Sequence, residues 1–353
     1  MSPGTHSGVM YAIAAALLFG ASTPLAKTLL GTTDPLMLAG LLYCGSGAGL
    51  ALVQCVRGLD SSNERPVDWP AGLELCWLGA AIFLGGIVAP VLLLYGLQAM
   101  PASSASLLLN LESVLTALFA WFLFRENFDR RIATGMAAIV AGGLVLSWAP
   151  GGAAGMSAAA GLVAAACACW ALDNNLTRRV AHRDPLVIAA SKGLVAGAVN
   201  VGLALHFGRA LPPLDVVAGA LAVGFAGYGV SLVLFVLALR HLGTARTGAY
   251  FAVAPFFGAL YALLVLHEPV SLQLAVAGAL MALGVWLHVS ERHEHRHVHE
   301  PLDHAHAHVH DEHHRHAHDF AWDGAEPHAH RHVHDRTAHR HRHVPDIHHR
   351  HHH

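Results

Sequence analysis

Phe19-Gly20-Ala21-Ser22-Thr23-Pro24-Leu25-Ala26-Lys27 is answered later in the same chain by Trp170-Ala171-Leu172-Asp173-Asn174-Asn175-Leu176-Thr177-Arg178. A few residues after each comes the same signal, Asp34-Pro35-Leu36 in the first case and Asp184-Pro185-Leu186 in the second. A third anchor follows: Phe124-Arg125-Glu126 corresponds to Leu266-His267-Glu268. Each of these closes an apolar helix that opens after Met100-Pro101-Ala102-Ser103 or Leu242-Gly243-Thr244-Ala245. Three anchors in the same order read as an internal duplication.

The surrounding text says what was duplicated. Apolar residues make up 54% of the chain and charged ones 12%, about half the charge of a typical soluble domain at roughly 25%. A bilayer core of about 30 Å takes roughly 20 apolar residues as helix. Ten segments meet that length: 8–30, 34–56, 73–98, 102–124, 132–149, 157–178, 185–207, 214–239, 246–266 and 270–289. Five spans per copy is an odd number, so the two copies enter the membrane from opposite sides, the plan of many secondary transporters with a site near the midplane. The expected fold is an all-α integral membrane protein of ten transmembrane helices in two inverted five-helix repeats, 8–149 and 157–289, followed by a tail, 291–353.

Basic residues orient the chain. With the N-terminus in the cytoplasm, the inner connections hold Arg57, Arg65, Arg125, Arg130, Arg131, Arg178, Arg179, Arg183, Arg240 and Arg246; the outer ones hold Lys27 and Arg209. Both termini are therefore expected in the cytoplasm of a bacterial-type inner membrane. No Lys or Arg precedes Lys27, so the basic n-region of a cleaved signal is missing and the first segment reads as a retained helix. Residues 1–290 carry 13 basic and 12 acidic side chains, the tail 8 and 11; neither part is a polycation that would bind nucleic acid. Cys44, Cys55, Cys76, Cys167 and Cys169 include no CxxC pair, which argues against a disulfide framework or a zinc module.

The tail is the other decisive segment. Twenty-four of the 30 histidines lie after Ser290. They run as His293-x-His295-x-His297-x-His299, His304-x-His306-x-His308-x-His310, His313-His314-x-His316-x-His318, His328-x-His330-x-His332-x-His334 and His339-x-His341-x-His343. In an extended chain residues i and i+2 share a side, so neighbouring imidazoles converge on one ion, and imidazole suits Ni, Co, Zn and Cu. With few apolar residues to bury, the tail is expected to be disordered without metal. A purification tag would explain only the terminal His-His-Arg-His-His-His, not the interrupted blocks before it.

The run Ala105-Ser106-Leu107-Leu108-Leu109-Asn110-Leu111-Glu112-Ser113-Val114-Leu115-Thr116-Ala117, ending in Phe124-Arg125-Glu126, resembles the fourth helix of the drug/metabolite transporter superfamily, EamA type. Ala252-Val253-Ala254-Pro255, leading to Leu266-His267-Glu268, resembles its ninth. The resemblance covers residues 8–290 and implies transport of small solutes, most often export. Ser113 stands where this family's first repeat commonly has a proline like Pro255, which predicts a weaker bend in the fourth helix. A long His-rich tail resembles the nickel/cobalt-resistance branch, which implies efflux of divalent cations.

Ionisable groups within spans cost roughly 2.5–3.5 kcal/mol at a helix centre and usually serve function. Asp173 leads the candidates for the transport path, with Asn174 and Asn175; they align with Ser22, Thr23 and Pro24 of the first helix, so two helices are expected to bring oxygens to one site. Cys169 lies one turn before Asp173 on the same face, a candidate thiolate–carboxylate pair. An equal alternative has Asp173 near the cytoplasmic end, paired with Arg178 or Arg179 and solvated. Glu112, in mid-helix four, reads as a gating or packing residue and as a candidate ligand. Lys192 is an odd companion for a cation path: it neutralises Asp173 or Glu112, or selects an anionic solute. Glu126 and Glu268 read as caps or gate contacts.

The sequence lacks GxxxxGK[ST], so no ATP-hydrolysing P-loop is encoded and no enzyme is expected. No permanently bound cofactor is expected; the partners are the lipid bilayer and divalent metal ions, with a second copy of the chain an open option. Three readings follow: proton-coupled efflux of Ni²⁺ or Co²⁺, with Zn²⁺ also admitted; export of an amino acid or small metabolite with the tail as sensor or buffer; or a metal-buffering membrane protein that does not transport.

Overall fold

A computed structural model describes residues 3–58, 69–124, 130–148, 157–177, 179–180, 183–242 and 244–289 of the body, and 293–299, 302–308, 328–334 and 337–343 of the tail. The chain divides into two units, Met1–Ser290 and Glu291–His353.

The body is all-helical: α1 (Pro3–Leu29), α2 (Pro35–Gly58), α3 (Leu73–Ala81), a first π-helix (Ile82–Val88), α4 (Ala89–Gln98), α5 (Ala102–Leu108), α6 (Leu111–Phe124), α7 (Arg130–Ser147), α8 (Ala158–Thr177), α9 (Pro185–His206), α10 (Leu214–Gly224), a second π-helix (Phe225–Val230), α11 (Ser231–Leu242), α12 (Thr244–Phe251), α13 (Ala254–Val265) and α14 (Leu272–Val289). Asp34 and Asp184 open α2 and α9 identically: each carboxylate accepts the backbone N–H two residues on, from Leu36 and Leu186, and a proline occupies the next position. Pro at the first helical position has no N–H to lose there. Among the described residues, six helical stretches are long and apolar enough to cross a membrane: His6–Leu29, Pro35–Val56, Leu73–Gln98, Ala102–Phe119, Pro185–His206 and Leu214–Ala238.

The packing partners exchange when the two halves are swapped. α1 packs on α11 and on α13, while α8 packs on α4 and on α6; α2 runs along α9, and α7 along α14. The α2–α9 contact is close because small residues line it: a Cβ on Gly47 would lie 2.3 Å from the Leu194 nitrogen, and one on Gly193 2.6 Å from Gly47. Small residues let backbones approach where lipid supplies no hydrophobic drive.

Two of the expected spans contain π-helices. In the first, Ala89 N–H reaches back five residues to Leu84 O. The next donor in that register would be residue 90, which is proline and has no N–H. The carbonyl of Gly85 is thereby freed, and it accepts the Tyr43 hydroxyl and the Trp170 indole N–H, both at 2.8 Å. Asn200, fully buried in α9, donates at 3.4 Å to the next two carbonyls, of Gly86 and Ile87.

The fourth span is interrupted at Leu109 and Asn110 without a proline. α5 stops at Leu108 and α6 starts at Leu111. Asn110 Nδ2 donates to Leu107 O, and Ser113 Oγ to Asn110 O. Short polar side chains compete for backbone carbonyls and bend the helix.

The tail is a unit of its own. Its described segments are β1 (His293–His299), β2 (Leu302–His308), β3 (His328–His334) and β4 (Thr337–His343), with β1 antiparallel to β4 and β2 to β3. The register sets His293, His295 and His297 opposite His343, His341 and His339, and His304, His306 and His308 opposite His332, His330 and His328. A period-two sequence can pair as strands when a partner with the same alternation lies opposite. His310, His313, His314, His316 and His318 lie outside the described residues, as do Arg65, Arg125, Glu126 and Arg178.

Candidate functional site

α8 carries Asp173 one turn before its C-terminal end, and α9 carries Lys192 opposite it. The Lys192 ammonium donates to both carboxylate oxygens of Asp173, at 2.6 and 2.7 Å, and to Thr177 Oγ1 at 3.3 Å. Thr177, one helical turn after Asp173, donates its own hydroxyl to Oδ1 at 2.8 Å. Asp173 is 5% exposed. Its carboxylate is thus fully engaged, as a buried charge must be to offset the loss of water.

Gly85 makes the seat. A Cβ on that residue would fall 1.9 Å from Asp173 Oδ2, so only glycine lets the first π-helix approach the carboxylate. Tyr43 and Trp170, held on the freed Gly85 carbonyl, wall the same place with aromatic rings. From Tyr43 a chain of rings leads across the body: Tyr43 to Tyr228 at 5.7 Å between centroids, Tyr228 to Phe19 at 6.0 Å and Phe19 to Phe251 at 5.4 Å.

Glu112 adjoins this pair through the next residue of α8. Asn174 Nδ2 donates to Glu112 Oε1 at 2.8 Å and lies 3.4 Å from Thr116 Oγ1, both on α6. Asp173, Asn174, Glu112 and Lys192 therefore form one polar group shared by α6, α8 and α9. Asn175 is turned elsewhere: its amide donates to Ala171 O and Thr116 O, a tie between α8 and α6.

The remaining candidates are separated from the group. Ser22 and Thr23 are buried, but Ser22 Oγ donates to Phe19 O and faces Gly227 of the second π-helix. Asp173 and Ser22 thus each rest against a different π-helix, at Gly85 and Gly227. Cys169 packs as a half-buried apolar side chain against the core; Asp173 takes Lys192 and Thr177 instead, so the thiolate–carboxylate pair is corrected. The alternative of a solvated Asp173 is opposed by its 5% exposure and its pairing with Lys192; Arg179 lies over the Trp77 ring, its carbon 5.8 Å from the centroid, and Arg178 lies outside the described residues. Among the described residues no group of three or more His, Cys, Asp or Glu stands together as a metal site.

The end of the body that carries the α4–α5 turn is strapped from two helices. Lys27 of α1 donates to the carbonyls of Leu97, Gln98 and Met100, placing a cation on the negative end of α4. Glu268, after α13, accepts the N–H groups of Ala102 and Ser103 at 2.7 and 2.9 Å, an anion on the positive end of α5. His267, at φ 55, is a left-handed residue that lets Glu268 N–H close on Ala262 O, a Schellman-type turn that usually takes glycine. A cavity of about 480 Å³ lies beside Lys27, Gln98, Ser103 and Glu268.

Tyr43, Gly85, Trp170 and Thr177 were not among the site candidates read from the sequence, although Trp170 and Thr177 belong to the repeated stretch. A signal for the glycine existed: Phe83-x-Gly85 recurs as Phe225-x-Gly227 at the corresponding place in the second half.

The chain is 29% identical over 293 residues to an uncharacterized transporter of Methanothermobacter thermautotrophicus, covering 79% of this chain and 85% of that one. It is 37% identical over 112 residues, 32% of this chain and 92% of the relative, to a probable 4-amino-4-deoxy-L-arabinose-phosphoundecaprenol flippase subunit ArnE of Pseudomonas fluorescens. A protein crystal structure shares the fold with a TM-score of 0.58 at 21% identity, covering 81% of this chain and 95% of its own. The EamA-like transporter family matches twice in tandem, at residues 6–148 and 157–290. The chain belongs to the EamA-like transporter family, as a multi-pass membrane protein of that type.

Proposed function

We propose that this transporter exports a divalent transition metal ion, nickel or cobalt first and zinc as a further cargo, from the cytoplasm across a bacterial-type inner membrane. The observation that carries the cargo is the tail: 24 histidines in 63 residues, attached to a body whose polar group on α6, α8 and α9 contains two carboxylates. The body crosses the membrane ten times in two inverted repeats, 8–149 and 157–289, with both termini and the tail in the cytoplasm. The swapped packing pairs, the π-helix in each half and the bias of basic residues support that arrangement. The tail collects metal on the side from which it leaves, and the path runs through the body.

Export is uphill without coupling. Moving a divalent cation outward against an inside-negative potential costs about 4.6 kcal/mol per 100 mV, and exchange for two protons cancels that electrical term. In proteoliposomes holding the full chain, nickel flux is expected to follow an imposed pH gradient; flux indifferent to the gradient sinks proton exchange. Cells that lack the gene are expected to accumulate more nickel or cobalt than cells that have it. Equal accumulation of every metal tried sinks the cargo assignment. Removal of residues 291–353 is expected to lower export at low cytosolic metal while leaving a measurable flux.

A second reading rests on Lys192. An ammonium beside an aromatic wall suits a solute with a carboxylate, such as an amino acid or small metabolite. Competition of such a solute with its own labelled form, with no flux of any divalent metal, favours that reading over metal export.

A further inference from the structure

Lys192 carries charge of the same sign as the proposed cargo, at the carboxylate a cation path would use. Its ammonium is within 2.7 Å of both Asp173 oxygens. Thr177 holds one of those oxygens as well, and Gly85 closes in on the other. The side chains at the pair are 19% exposed for Lys192 and 7% for Asp173. A cation that binds Asp173 therefore does so in place of Lys192, not beside it.

We propose that Lys192 is a tethered competitor that makes the site selective for doubly charged cations; this rests on the reading of the cargo as a divalent metal ion. At equal distance the Coulomb attraction scales with charge. A potassium or sodium ion that displaces the ammonium exchanges one unit charge for another, gives up its hydration, and gains nothing. A divalent ion gains about twice the attraction of the group it displaces, and its larger loss of hydration is to be offset by the further oxygens beside the seat, those of Glu112 and Asn174. Cytosolic monovalent cations far outnumber free transition metal ions, so this discrimination is needed before any choice among metals. The tether also leaves Asp173 paired in the unloaded site, which matters because an unpaired buried charge is costly. Thr177 Oγ1, already 3.3 Å from the ammonium, is a neutral acceptor for it when it leaves the carboxylate. Lys192 sets the charge of the cargo and not its identity; the choice among divalent ions falls to the donor types that meet it, Glu112 and Asn174 included.

The test uses the full chain in liposomes, with nickel flux measured in potassium medium and in N-methylglucamine medium of equal ionic strength. For the wild type, potassium is expected to leave the apparent KM for nickel unchanged within about twofold. For Lys192→Met it is expected to raise that KM about tenfold, a loss worth one factor of ten in competition. Equal indifference to potassium in both proteins overturns the proposal while leaving nickel export standing. Should Lys192→Met fail to fold, judged by size-exclusion chromatography, Lys192→Arg decides. A guanidinium fork holds both oxygens more firmly, so this variant is expected to keep the indifference to potassium and to raise the nickel KM about tenfold; an unchanged KM overturns the proposal. A wild type that moves no nickel, cobalt or zinc sinks the cargo assignment and the tethered competitor together.

Discussion

Asp173 and Ser22 hold aligned positions in the two halves, and each sits against a glycine of a π-helix, Gly85 in one case and Gly227 in the other. The backbone device is the same; the chemistry is not. Beside Gly85 stand a carboxylate, an ammonium and two aromatic donors that share one freed carbonyl. Beside Gly227 stands a serine whose hydroxyl returns to its own helix. The difference begins with Pro90, which has no backbone donor to offer Gly85 O, whereas Leu232 stands at the corresponding place of the second half and has an N–H. A duplicated scaffold has kept its geometry twice and placed its charge once. The charged seat is where cargo selection is to be sought, and the serine seat serves as an internal control.

The comparison can be broken first by removing the charge. Asp173→Ala leaves the part-buried Lys192 ammonium with Thr177 Oγ1 as its remaining partner, and is expected to cost about 3 kcal/mol of stability. Ser22→Ala removes the bond to Phe19 O and the side-chain bond shared with Tyr228, both between uncharged groups, and is expected to cost about 1–2 kcal/mol. Unfolding midpoints in detergent check both; equal losses in the two variants would show that the ion pair is not what distinguishes the halves. The double variant Asp173→Leu with Lys192→Met is expected to recover most of the stability while abolishing transport.

A smaller effect separates the two glycines. Gly85→Ala drives a methyl into the Asp173 carboxylate, whereas Gly227→Ala meets the Ser22 Cβ at 2.6 Å. Overpacking costs about 1–3 kcal/mol, and Gly85→Ala is expected at the upper end with a larger drop in flux than in unfolding midpoint. A Gly227→Ala variant with the greater loss of flux would reverse the assignment of the two seats.

Glu268→Ala leaves the N–H groups of Ala102 and Ser103 without their acceptor, at an expected cost of about 1–2 kcal/mol. Its signature is faster hydrogen exchange at residues 102–105, with exchange around Asp173 unchanged. Tyr43→Phe is the mildest change: it removes one of two donors to Gly85 O, leaving Trp170, and is expected to cost about 1 kcal/mol. A thermal midpoint shift as large as that of Asp173→Ala would mean that Tyr43 rather than the ion pair holds the seat together.

The helical, membrane-crossing character of the body was legible in residues that repeat: the Ser22 and Asp173 stretches, the two Asp-Pro-Leu signals and the apolar runs between them. Asp173, Glu112 and Lys192 were legible because charge inside an apolar span is rare for energetic reasons. What could not be read was which of them meet. Lys192 lies nineteen residues after Asp173, on another helix, and only packing brings α9 against α8. The Cys169–Asp173 pairing followed from helical spacing alone, but spacing places two side chains on one face without giving either a better partner than Lys192. The π-helices went unread because an extra residue per turn leaves no mark in an apolar sequence beyond Phe-x-Gly and a nearby proline. With Ser113 in place of a proline a weaker bend was expected in the fourth span, and the interruption at Leu109 and Asn110 is accompanied instead by side-chain bonds from Asn110 and Ser113.

The central claim is that a divalent metal ion leaves the cell through the charged seat and not through the tail. Nickel flux through the full-length protein in liposomes, wild type against Asp173→Asn, tests it most directly, since every tail histidine is present in both. The expected result is steady flux in the wild type and a fall of about a hundredfold in the variant, the equivalent of roughly 3 kcal/mol of lost interaction. Equal flux in the two proteins, or flux in neither, would contradict it.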